Sequence, residues 1–187
     1  DASKLADTQW GKVREPALRL SNWARCFRAT SASGNWTIRN LDSASFSLGQ
    51  QPWRAPSVFN FFRPGYVPPN TAIATAGLVA PEFQLIGETA VAGYTNYMQS
   101  VVQSGAGIGT PRDVQPDYSS ELALAGNAEA LLDRVNRCLM YGTMDTTLRN
   151  DLRAAVNAIA MTGNGPTNRV RTAILLTMAS PEYLVQK

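Results

Sequence analysis

Few side chains in this sequence could do chemistry, and their spacing decides what kind. Glu82 and Glu88 stand six positions apart. On one helix that is a rotation of about 600°, so the two carboxylates do not share a face, and a glycosidase-like pair would need another acid placed by the fold. Glu82 follows Pro81 in what reads as a first helical turn, where a carboxylate complements the helix dipole; that structural role is the expected one. Ser57 lacks the GxSxG elbow of a nucleophilic serine. Histidine is absent from the chain, which excludes Ser-His-Asp and Cys-His triads, haem ligation through His and the usual His-containing zinc sites within it. Cys26 and Cys138 have no CxxC partner and cannot form a structural zinc site alone. Each falls in a helical pattern beside apolar residues and reads as a buried thiol; in an exported protein the two could instead pair. No self-sufficient catalytic site, metal site or cofactor is read from these residues.

Binding candidates gather in Q-P-W-R-A-P-S-V-F-N-F-F-R-P-G-Y-V-P-P-N, residues 51–70. Its prolines forbid a regular long helix, while Trp53, Val58, Phe59, Phe61, Phe62 and Tyr66 ask for burial. Arg54 and Arg63 flank the aromatics and could bind an anion or stack on Trp53 and Tyr66, but hydrogen bonds to loop carbonyls are their expected work, as for Asn60. Ser57 is placed to cap a single helical turn over Val58–Phe61. The segment is expected to act as a structural plug whose aromatics insert against the helix that starts at Pro81, near Gly87 or Gly93. The competing reading is an exposed ligand platform, and the binding candidates are Trp53, Arg54, Asn60, Arg63, Tyr66 and Glu82.

The positioning elements follow from hydrophobic spacing. Residues 1–12 read as frayed. Pro16 suits a first helical turn, and Ala17, Leu20, Trp23, Ala24 and Phe27 recur at helical spacing, with Arg14, Ser21, Arg25 and Arg28 on the opposite side. That predicts a helix over Pro16–Ala29. An irregular connection follows, with a short strand predicted at Trp36–Arg39 and an N-glycosylation-like Asn35-Trp36-Thr37 that carries little weight. A second helix is predicted over Pro81–Val102, with Phe83, Ile86, Ala90, Tyr94, Tyr97 and Val101 on one face. Its glycines, Gly87 and Gly93, lower helix propensity and suggest close approach by another segment. Gly105-x-Gly107-x-Gly109 follows a helix and precedes a proline loop, the reverse of a phosphate cradle, and reads as a flexible connector. Asn127 and Asp145 are N-caps for helices over Ala128–Tyr141 and Thr146–Ile159, and a third runs over Thr167–Ala179. The fold class is therefore mainly α: an irregular helical domain with long ordered loops (1–126) and a C-terminal three-helix bundle (127–187), together one lobe of a larger protein.

Composition agrees with a folded chain: 187 residues, 44% hydrophobic and 17% charged,. Charge is uneven, with nine Lys/Arg against four Asp/Glu in residues 1–66 and eight against ten in the remainder. The basic third lacks a dense basic stripe, so nucleic acid is not the expected partner. No run approaches a membrane span. The chain opens at Asp1 without an apolar signal region or initiator Met, which reads as a mature product or a portion of a longer chain.

R-A-P-S-V-F-N-F-F-R-P-G-Y-V-P-P-N, then L-V-A-P-E-F-Q-L-I-G-E, then N-R-V-R-T-A-I-L-L-T-M-A-S-P-E-Y-L-V-Q-K, in that order, resemble the C-terminal portion of a bacterial family designated domain of unknown function 1800. The resemblance implies a longer protein with a further N-terminal helical part, export to the periplasm or outside the cell, and a sulfatase-like or phosphatase-like partner. It supplies no catalytic residues. The expected function is an exported structural or interaction module acting with the rest of its protein or with a partner chain. The alternative is a part of an exported hydrolase or polymer-binding protein whose site is completed elsewhere.

Overall fold

The computed structural model describes Asp7 and residues 10–186. The fold is mainly α with small strand pairs. In chain order it runs β1 (Lys12–Val13), α1 (Pro16–Cys26), β2 (Thr30–Ser31), α2 (Ala72–Thr75), a 3-10 helix (Pro81–Leu85), α3 (Glu88–Ser104), β3 (Val114–Gln115), α4 (Ser119–Leu122), α5 (Ala128–Met140), α6 (Thr146–Asn157), α7 (Gly165–Ala179), α8 (Pro181–Leu184) and β4 (Val185–Gln186). Two compact units interleave along the chain: one takes the described part of Asp1–Leu20 with Asn40–Tyr97 and Leu184–Gln186, the other Ser21–Arg39 with Met98–Tyr183.

In the first unit, β1 pairs antiparallel with β4, Lys12 opposite Gln186 and Val13 opposite Val185. Lys12 therefore belongs to a strand where fraying was expected; the expectation for residues 1–6, 8 and 9 lies outside the described residues. Arg14, expected on a solvent face, is buried. It precedes α1, so the helical wheel does not govern it: its N–H donates to the Leu184 carbonyl at 2.8 Å, and its own carbonyl accepts from Arg19 Nε at 2.7 Å. The Arg19 guanidinium then lies 4.6 Å over the Tyr94 ring, a cation–π contact,. The Gln50 side chain accepts from the Ala17 N–H at 3.0 Å near the start of α1 and donates to Glu15.

The predicted helix over Pro81–Val102 is two elements. A 3-10 turn ends at Leu85, Ile86 takes a non-helical conformation, and α3 starts at Glu88. Gly87 sits in this break. Close approach occurs at Gly93 alone of the two glycines: a Cβ there would fall 2.0 Å from the Ala44 carbonyl oxygen, whereas one on Gly87 would meet nothing within 4 Å. The segment that approaches is Ala44–Ser45, not the aromatic stretch.

In the second unit, α5, α6 and α7 pack on one another and bury Leu131, Leu132, Val135, Leu139, Leu152, Val156, Val170, Ile174 and Met178. Both predicted caps are present, Asn127 Oδ1 accepting from the Ala130 N–H at 3.2 Å and Asp145 Oδ1 from the Leu148 N–H at 2.7 Å,. The buried Trp23 donates from Nε1 to Tyr118 Oη at 2.9 Å, and Phe27 meets the Tyr118 ring edge-on at 5.0 Å between centroids. Burial pushes the Tyr118 phenol upward from its ordinary value,. Cys26 and Cys138 form a disulfide, Cα atoms 5.5 Å apart, joining the end of α1 to α5; the reading of two separate thiols is corrected.

No strand forms at Trp36–Arg39. Thr30–Ser31 pairs with Val114–Gln115 instead, and residues 31–37 wrap the Asp113 carboxylate. Ser33 N–H and Thr37 N–H each donate to it at 2.7 Å and Ser31 Oγ at 2.9 Å. These bonds, the one from Ser33 N–H first, hold its pKa down to about 2. The glycine loop is likewise tied in place, not a free connector: Ala106 bridges Val114, and Arg112 donates to the Ser100 and Gly105 carbonyls at 3.2 and 2.9 Å. Gly105, Gly107 and Gly109 all have positive φ, so their role here is conformational.

Candidate interaction surface

The proline–aromatic segment is fixed in backbone and open in side chain. Its fixation is local. Arg54 N–H donates to the Gln51 carbonyl at 3.2 Å, Asn60 N–H to the Ser57 carbonyl at 3.1 Å, and Tyr66 N–H to the Arg63 carbonyl at 3.0 Å. Arg63 N–H also bonds the Gln84 side chain, and the Tyr66 carbonyl accepts from Ala80 N–H at 2.9 Å. Thr71 Oγ1 bonds the Pro68 carbonyl at 2.7 Å and caps α2 by accepting from Ala74 N–H at 3.3 Å.

The helical turn predicted at Val58–Phe61 is absent. Ser57 and Asn60 instead form an antiparallel bridge, with Ser57 Oγ accepting from Phe59 N–H at 3.1 Å. Asn60 closes this reversal with φ of 65°, a conformation asparagine tolerates better than most residues,.

The apolar side chains of the segment do not plug the fold. Trp53 is 102% exposed, Val58 93% and Phe59 58%; Phe46, just upstream, is 84% exposed. Phe61, Phe62 and Tyr66 are half-buried. The insertion expected against Gly87 or Gly93 does not occur, because Gly93 is already covered by the Ala44–Ser45 backbone. Arg54 does not tie down a carbonyl: its Nε pairs with Asp42 at 3.1 Å, an exposed ion pair worth little to stability,. The Arg63 side chain is exposed.

Glu82 stands between Ala80 and Gln84, which bond Tyr66 and Arg63, but its own carboxylate turns to a different partner. It stands in the first turn of the 3-10 helix, as expected for a carboxylate there, and pairs with Lys12 at 3.3 Å. The two line a cleft of about 470 Å³ whose other walls include Trp10, Ile73, Val79 and Phe83. Sequence reasoning missed Lys12 and Trp10, since nothing in residues 10–13 signals that β1 will meet a strand more than 170 positions away. Lys12 is the only ionised partner Glu82 has among the described residues, and the lining of the cleft brings no second carboxylate to it, so the arrangement does not supply the two-carboxylate pair of a glycosidase.

Among the described residues, no group of three or more His, Cys, Asp or Glu is placed to hold a metal ion. No described helix is long and apolar enough to cross a membrane. The chain matches no curated protein and no solved structure. One family profile, described as protein of unknown function (DUF1800), matches residues 1–185, and the chain belongs to that family.

Proposed function

We propose that this chain is an exported structural or interaction module that docks another protein segment, from the rest of its own polypeptide or from a partner, on its proline–aromatic stretch. One observation carries the reading: Trp53, Val58 and Phe59 are exposed on a backbone that turns, prolines and hydrogen bonds already hold. Large exposed apolar side chains in series mark interaction surfaces, and aromatic anchors dominate interface energetics. A pre-ordered segment loses little conformational entropy when covered. The disulfide supports export, since such bonds persist in oxidising compartments,. The resemblance adds a sulfatase-like or phosphatase-like protein as the first partner to try.

The second reading is a polymer-binding part of an exported hydrolase. It draws on the same exposed Trp53 ring, which is open to stacking by a sugar. Hydrogen exchange separates the two. Amides of residues 53–62 should slow when the remaining polypeptide or the partner is present, and Trp53→Ala with Phe59→Ala should abolish the slowing. Slowing by a polysaccharide alone moves the reading to polymer binding. Equal exchange in every state removes the docking role.

A further inference from the structure

The cleft that holds Lys12 and Glu82 is lined by none of residues 51–70, although one of its walls, Ala80, bonds the Tyr66 carbonyl. Its volume, about 470 Å³, falls within the range of small-molecule sites,. Its walls are largely apolar, from Trp10, Ile73, Leu78, Val79 and Phe83. Set in these walls is one opposed charge pair, Lys12 Nζ 3.3 Å from Glu82 Oε1. The two members differ in access: the lysine side chain is 57% exposed and the glutamate only 12%. Beyond that lysine, no hydrogen bond reaches the Glu82 carboxylate among the described residues. A carboxylate offers about four acceptor sites, so a half-enclosed anion here retains unused acceptor capacity toward an N–H donor.

The pair acts on a ligand as a short dipole with no net charge. A lone amine would bring its cation beside Lys12, and a lone carboxylate would face Glu82; each gains one contact and meets one repulsion. The ligand that gains twice carries an ammonium and a carboxylate as neighbours, in the opposite sense to the protein pair. An α-amino acid has both groups on one carbon. The apolar walls then select its side chain.

We propose that this cleft binds a free apolar α-amino acid as its zwitterion, with the ligand ammonium on Glu82, the carboxylate on Lys12 and the side chain against Ile73, Val79 and Phe83. The site goes beyond the docking role and does not depend on it.

Titration calorimetry on the full natural polypeptide tests it, with L-leucine and L-phenylalanine as probes. The single-charge analogues are 4-methylpentanoate and 3-methylbutylamine. Saturable binding of at least one amino acid is expected, with both leucine analogues about tenfold or more weaker than leucine, since each loses one charge-assisted hydrogen bond. Glu82→Gln should weaken amino-acid binding by a similar factor. Should that variant fold poorly, the analogue series on the unaltered protein decides by itself. No saturable binding up to roughly 10 mM, a range that would still detect millimolar affinity, overturns the proposal. So do analogues that bind as well as the amino acid, or unchanged binding by a folded Glu82→Gln protein.

Discussion

The helices over Ala128–Ala179 and the stretch Trp53–Tyr66 both carry large apolar side chains, and they dispose of them in opposite ways. In the helices, Leu131, Val135, Leu139, Leu152, Val156 and Ile174 are buried at helical spacing. In the stretch, Trp53, Val58 and Phe59 are exposed although they sit inside turns closed by the Gln51–Arg54 and Ser57–Asn60 hydrogen bonds. An amphipathic helix owes its order to the apolar face it buries. A proline–turn segment owes its order to restricted φ angles and local hydrogen bonds, so its aromatics remain available for something else. Apolar content alone therefore does not locate the core.

A large effect on the helical side is expected from the disulfide. Its cysteines are 112 positions apart, and removing such a cross-link with Cys26→Ser plus Cys138→Ser should cost about 2–5 kcal/mol by denaturant unfolding. Full stability after reduction would mean that packing around Trp23 and Phe27 suffices without it.

A smaller effect separates two glycines of the first unit. Gly93→Ala drives a methyl into the Ala44 carbonyl and should cost about 1–3 kcal/mol, as overpacked cores do,. Gly87→Ala finds open space and should leave the unfolding midpoint unchanged or slightly raised. Equal losses would show that Gly87 has a partner after all.

Asp113 gives the second unit an acid-sensitive joint. Its folded pKa of about 2 lies below the ordinary carboxylate value, so the unfolded chain takes up its proton first as pH falls. The stability it contributes is complete above about pH 4 and is lost as pH drops toward 2. Asp113→Asn should lower stability at neutral pH and flatten the acid limb of an unfolding-versus-pH curve. An unaltered acid limb would place the pH dependence elsewhere.

What was legible in the sequence follows the same division. Asn127 and Asp145 announced their helices because a cap and a 3.6-residue period act within one or two turns. The family was legible for a different reason: its motif strings stand unbroken in the chain. Burial of the aromatic stretch was misread because composition states how much apolar area exists and not which way it faces. The break at Ile86–Gly87 was missed because the apolar period continues across it, while the 3-10 turn started by Pro81 does not. Gly93 and Gly87 are alike in sequence context, and only the Ala44–Ser45 backbone tells them apart. Lys12 joined Glu82 through a strand pair formed by residues far apart in the chain, which no local pattern encodes.

The division between a packed helical unit and an open aromatic stretch is tested most directly by equilibrium unfolding of Phe27→Ala and Phe59→Ala, measured side by side. Phe27 is 1% exposed and Phe59 58%. The first change should cost about 3–5 kcal/mol and the second within about 0.5 kcal/mol of nothing. Comparable losses from the two would contradict the assignment of Trp53–Tyr66 as a surface held ready for a partner and would return it to the core.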